Sequence, residues 1–120
     1  MQDHRRLRVW QDAQEICVEV YRFSAQFPPE ERYGLAAQVR RAAVSVGANI
    51  AEGSRRISPA DKGRIFNIAQ SEAAEAMSEL DVAVRMKFGN DGGAERLIDA
   101  YDRWLGAAET LRQMVVGDTP

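Results

Sequence analysis

One histidine, one cysteine and four prolines are spread over 120 residues, and each scarcity closes off a class of chemistry. His4 lies in an N-terminal segment expected to be mobile. A Ser-His-Asp or Cys-His relay would need that segment folded back onto the body of the protein. The Glu-x-x-His pairs that carry di-iron centres in helical bundles do not occur. Cys17 has no second cysteine for an intramolecular disulfide and falls on the core-facing stripe of its helix. No apolar run approaches the ~20 residues that span a bilayer, and Met1 to Arg8 lacks the hydrophobic segment of a secretory signal. A cytoplasmic protein without membrane contact is expected. Gly89 to Gly93 neither follows a strand nor precedes a lysine, so no phosphate-cradling loop is present. There is also no strand-like alternation, no internal repeat and no low-complexity tract.

What is present reads as one globular domain over residues 1–120, long enough to bury roughly two-thirds of its unfolded surface. Charged residues make up 28% and hydrophobic ones 45%, a balance that supports a core rather than disorder. The net charge is −2, unevenly spread. Arginines gather in Arg5-Arg6-Leu7-Arg8, Arg40-Arg41 and Arg55-Arg56, whereas acids dominate the second half. Such pairs suit phosphate contacts, yet an acidic total opposes strong non-specific binding, which grows with the number of cations engaged.

Four helices are legible, at about 7–26, 32–54, 59–88 and 94–115, from apolar residues recurring every three or four positions. Trp10, Ala13, Cys17, Val20, Tyr21 and Ser24 mark the first, and Phe27-Pro28-Pro29 stops it. The second starts between Glu30 and Tyr33. Ser58-Pro59-Ala60-Asp61 has the order of an N-cap, a proline at the first helical position and an early acid. Ile65, Ala69, Ala73, Ala76, Leu80 and Ala83 form the buried face of the third. Leu97, Tyr101, Trp104, Leu105, Ala108, Leu111 and Val115 do so for the fourth. Short connections between long helices predict an all-α, antiparallel up-down-up-down four-helix bundle.

The second helix departs from ordinary amphipathicity. Leu35, Val39, Ala42, Val46 and Ile50 make one apolar stripe. Ala37, Val44, Ala48 and Ala51 make a second, small-residue stripe roughly opposite. A helix apolar on two sides is buried on two sides, and a bundle of this size covers one of them. The other calls for a partner, and a second copy is the simplest. Between the stripes runs a polar line, Gln38, Arg41, Ser45, Asn49, Glu52 and Arg56, with Arg40 beside it. If buried, each of these needs a partner, and Glu75 is expected to pair with Arg41 or Arg40 across the bundle or a subunit boundary. Gly47, mid-helix, points to close helix approach or a local kink.

Two weaker readings remain. Glu52, Glu72, Glu75 and Asn49, with Glu79 nearby, have oxygen donors suited to a hard cation, although a solvated or salt-bridged acidic face explains them far better. Trp10, Tyr21, Tyr101 and Trp104 at helical spacing suit packing better than base stacking. No cofactor is called for.

At this point the chain resembles a known family. Leu7, Val9, Trp10 and Ala13 match its opening, and Tyr21, Phe27, Pro28, Glu31, Tyr33, Gly34, Leu35 and Gln38 match its first connection. Arg40-Arg41-Ala42-Ala43-Val44-Ser45, then Asn49-Ile50-Ala51-Glu52-Gly53 and Arg56, match its diagnostic motif. The family comprises small bacterial four-helix-bundle proteins named after open reading frames in 23S rRNA intervening sequences. The accessory variability determinant of diversity-generating retroelements is related to it. Gly47 stands where the family usually has proline. Ser71-Glu72-Ala73-Ala74-Glu75 keeps only the final acid of the family's Gly-Ser-x-x-Glu.

The resemblance implies a ring-shaped homopentamer without enzymatic activity. The leading expectation is a non-enzymatic homo-oligomeric scaffold or adaptor. Its alternative is an RNA-binding accessory protein using Arg5, Arg6, Arg8, Arg55 and Arg56, gathered by symmetry.

Overall fold

The computed structural model describes residues 3–89 and 92–117. Four helices account for most of them: α1 (Arg8–Ser24), α2 (Leu35–Ser54), α3 (Pro59–Met86) and α4 (Gly93–Val116). Single 3-10 turns occupy His4–Arg6 and Pro29–Glu31, and no strand occurs among the described residues. Each helix packs on its neighbour in the chain, and α1 closes on α4. Neither diagonal pair, α1 with α3 or α2 with α4, brings its backbones close together. The four helices therefore enclose one core within an elongated body of 47 × 21 × 20 Å.

Boundaries follow local chemistry. The first helix ends at Ser24 rather than near residue 26, because Gln26 and Phe27 donate back to Phe23 and Ser24 over three residues and tighten the chain before the prolines. The second begins later than expected. Pro29–Glu31 forms its own turn, and Gly34 holds a non-helical backbone before Leu35. Glu31 reaches over that break, its Oε1 accepting the Leu35 amide at 3.0 Å. Ser58 caps α3 by accepting the Asp61 amide at 3.0 Å, with Pro59 behind it. At the other end of α3, Lys87 takes a left-handed conformation with φ 58°. The Phe88 amide then returns to the Ala83 carbonyl at 2.9 Å, closing the helix end. Of the glycine-rich break, Asn90 and Asp91 lie outside the described residues, as do Met1 and Gln2 of the N-terminal segment.

The segment around His4 is not a free tail. Asp3 caps its turn, and the His4 ring meets Trp10 edge-on at 4.9 Å.

Val39, Ala42, Val46 and Ile50 of α2, Ala69, Ala73, Ala76, Leu80 and Ala83 of α3, and Leu97, Tyr101, Trp104 and Ala108 of α4 are buried together, and Ile65 of α3 is buried as well. Trp104 satisfies its ring N–H on the Val9 carbonyl at 2.9 Å, pinning α4 to the start of α1. Tyr21, expected within the core stripe of α1, is instead exposed, with the Arg40 guanidinium 4.8 Å above its ring. Arg40 also donates to the Tyr21 carbonyl and the Ser24 hydroxyl. A basic side chain thus closes the C-terminal end of α1, where the helix dipole favours a cation.

Candidate interaction surfaces

On α2 the spacing 37, 44, 48, 51 leaves a row of small side chains pointing away from the core. Ala37, Val44 and Ala48 are exposed and Ala51 is half-buried, Val44 retaining 47% of its accessible surface. The third side of the helix, through Ala36, Ala43 and Gly47, is buried.

The polar line lies at the protein surface rather than inside it. Gln38, Arg41 and Glu52 are exposed, and Ser45, Asn49 and Arg56 are half-buried. Burial that would demand full satisfaction is therefore absent in the single chain. Asn49 donates to the Ser45 carbonyl and hydroxyl, and Arg56 to Glu52 at 2.6 Å. Arg41 crosses to α3 and meets Glu75 at 3.4 Å within the same chain. With both partners well exposed, that pair contributes under about 1 kcal/mol.

Glu75 is the middle of a second row. Ile68, Glu72, Glu75, Glu79, Val82 and Met86 recur at alternating steps of four and three, so they share one face of α3. Ile68, Val82 and Met86 are exposed, whereas Glu79 retains only 9% of its surface. Its Oε1 and the Oε2 of Glu72 are buried without a hydrogen-bond partner. Burial first, and then the neighbouring Glu75, push the Glu79 carboxyl up to about 7. The same two causes raise Glu72. Arg41 is the opposing charge acting on both. The sequence marks the spacing of these acids but not the burial of Glu79, which depends on how α2 lies across α3.

The residues considered for a hard cation do not converge. Asn49 and Glu52 are engaged along α2, and no group of three His, Cys, Asp or Glu among the described residues is placed to hold a metal.

The arginines at the other end of the molecule do draw together. The turn at His4–Arg6 packs on α2, close enough that Arg55 acts on the Asp3 carboxylate. Arg5 is tied to Asp3, Arg8 to Asp12 and Arg56 to Glu52. Arg6 and Arg55 are exposed and enter no ion pair among the described residues.

Inside the bundle, the Tyr101 hydroxyl is wholly buried without a partner. Burial pushes it and the half-buried Cys17 thiol above their usual ranges. Neither is poised as a nucleophile.

The 23S rRNA-intervening sequence protein model matches residues 5–107, nearly the whole four-helix body. The chain belongs to this family. The match takes in α1 to α3 and most of α4, and with them the α2 motif and the Glu72–Glu79 row. A protein of unknown function from the S23 ribosomal protein family of Bacteroides thetaiotaomicron VPI-5482 is similar in fold, with a TM-score of 0.77 at 23% identity. The similarity covers 88% of this chain and 98% of that one. No curated protein matches the chain. No helix among the described residues is long and apolar enough to cross a membrane.

Proposed function

We propose that this family member is a non-enzymatic, cytoplasmic scaffold or adaptor whose working form is a homo-oligomer of up-down-up-down bundles. The observation that carries this reading is the open row of Ala37, Val44 and Ala48 on a helix whose core-facing residues, Val39, Ala42, Ala43, Val46 and Ile50 among them, are already packed. Small side chains let a neighbouring backbone come close, and an exposed row of them along a rigid helix is suited to helix-on-helix contact. Alternation of the helices is supported by the cross-helix pairs Arg41 to Glu75 and Ser54 to Lys62, which run in opposite directions along α2 and α3. Replacing Ala48 by Arg tests the reading: association is lost while helicity and thermal unfolding stay near wild type.

RNA binding is the second reading, favoured by the grouping of Arg6 and Arg55, without ion pairs among the described residues, at one end of the bundle. Multiplied by symmetry, that end presents a ring of cations. Filter binding to structured RNA across a salt series tests it. Steep loss of affinity with salt supports it, and no binding at low salt removes it.

A further inference from the structure

Two guanidiniums without an ion pair line the same cleft. Arg41 finds Glu75, but its neighbour Arg40 meets no carboxylate among the described residues, and neither does Arg32. Both border a cleft of about 300 Å³ between the end of α1 and the start of α2, walled by Phe27, Pro28, Pro29 and Ala36. No acid among the described residues lines it. Of the two acids in the adjoining turn, Glu31 is committed to the Leu35 amide, and Glu30 is exposed and outside the lining.

Arg40 is held in place from behind. Its Nε donates to the Ser24 hydroxyl at 2.7 Å and its Nη2 to the Tyr21 carbonyl at 3.2 Å, with the Tyr21 ring 4.8 Å from the guanidinium carbon. Ser24 is itself buried, and its hydroxyl is occupied by Arg40 and the Tyr21 carbonyl. These bonds use two of the five N–H groups of the fork, and Nη1 has no partner among the described residues. A donor already fixed in one rotamer loses little freedom on binding. Arg32 is the opposite case: exposed, with no side-chain bond among the described residues, it is free to turn towards a ligand. Capping of α1 explains the bonds of Arg40 to Ser24 and Tyr21, but neither the second cation nor the lack of an acid. Charge of one sign in a cleft with apolar walls concentrates counter-ions there.

The donor set chooses among anions. Phe27, Pro28, Pro29 and Ala36 offer no side-chain hydrogen bond, and the proline nitrogens carry no N–H. That leaves the two guanidinium forks. A carboxylate presents two oxygens in one plane, which such forks satisfy. A phosphate presents three or more, and would set some of them unpaired against the prolines.

We propose that the Arg32–Arg40 cleft is a binding site for the carboxylate of a small organic acid, whose apolar part lies against Phe27, Pro28 and Pro29. One chain makes the whole site, so it does not depend on assembly. It stands at the start of α2, a helix length away from Arg55 of the RNA reading.

Titration of the full chain with benzoate, followed by NMR at the Nε–H groups of Arg32 and Arg40 and the Ala36 amide, tests the proposal. Benzoate shifts all three together and saturably, with a Kd on the order of 1 mM for so small a ligand. Benzamide, the same ring without the charge, leaves them in place. Inorganic phosphate binds about tenfold more weakly than benzoate. Arg32→Gln weakens benzoate binding about tenfold, while the thermal melt stays at the wild-type value because Arg32 holds nothing in the fold. Absent or unsaturable shifts, equal binding of benzamide, or an unchanged affinity in Arg32→Gln overturns the site. Phosphate binding as tightly as benzoate overturns the assignment to carboxylates. Each of these results leaves self-association standing.

Discussion

The Lys62 ammonium of α3 lies 2.8 Å from the Ser54 carbonyl oxygen at the end of α2. It completes the termination of that helix. The Ala51 carbonyl accepts the Ser54 hydroxyl, Glu52 and Gly53 accept the Arg55 and Arg56 amides, and Ser54 takes the lysine. These are the four carbonyls an α-helix leaves without internal partners, and a cation here also meets the negative end of the dipole. Lys62 keeps only 8% of its surface, so its charge is held by that helix end rather than by water. Lys62→Met therefore costs about 1–3 kcal/mol by orphaning the Ser54 carbonyl. Urea unfolding of variant and wild type measures the loss.

Two glycines of α2 respond in opposite ways to the same change. A Cβ on Gly47 meets the terminal amide of Gln14, an exposed side chain free to swing aside, and otherwise only Ala13 at 3.9 Å. Gly47→Ala is neutral or stabilising by up to about 1 kcal/mol, the helix-propensity difference. A Cβ on Gly53 comes 2.8 Å from the Phe66 ring and 3.3 Å from Ile65, both buried. Gly53→Ala forces the core apart and destabilises by about 1–3 kcal/mol. Thermal melts of the two variants move in opposite directions, or the first stays still.

Glu79 makes the unassembled chain less stable in mild base than in mild acid. Its folded midpoint of about 7 stands above its ordinary value of 4.5, so the native state binds more protons than the unfolded state between those limits. Stability from this group falls as pH rises from about 4.5 through 7, then levels. Glu79→Gln removes that slope and is the more stable protein at pH 8. Chemical denaturation at concentrations below association, from pH 5 to 8, reads the difference.

Arg41→Met separates folding from assembly. The ion pair to Glu75 is exposed, so its loss shifts stability by under about 1 kcal/mol. The same change removes a cation that acts on Glu72, Glu75 and Glu79 and alters the exposed polar line beside the small-residue row. Circular dichroism melts stay close to wild type, while light scattering shows weakened association.

Most of the helical architecture was legible because it rests on local chemistry. Apolar periodicity located the buried face of α3 residue by residue and that of α4 at Leu97, Tyr101, Trp104 and Ala108, with Leu105, Leu111 and Val115 only partly buried, and Ser58 with Pro59 marked the start of α3. The misplaced features depend on contacts between distant segments. Tyr21 carries the right spacing for the core, but Arg40 draws it to the surface as part of the α1 terminus. His4 reads as part of a tail until Trp10 is found beside it. Gly47 suggested close helix approach or a local kink, and α1 does come near it at Ala13 and Gln14, but the tighter packing against buried side chains is at Gly53 on Phe66 and Ile65. On the candidate surface, the small-residue row was readable from spacing, and Arg41 and Glu75 were readable as partners. The burial of Glu79 and Lys62 was not, because neither position differs in pattern from a solvated charge on a long helix.

The central claim is that the outward row of α2 is covered by another copy of the chain. Sedimentation velocity at micromolar concentration and neutral pH tests it most directly. The account predicts a discrete species several times the 13.4 kDa chain mass, converted to single chains by Ala48→Arg. A wild-type protein that sediments as one compact chain, with Ala37, Val44 and Ala48 open to solvent, contradicts it.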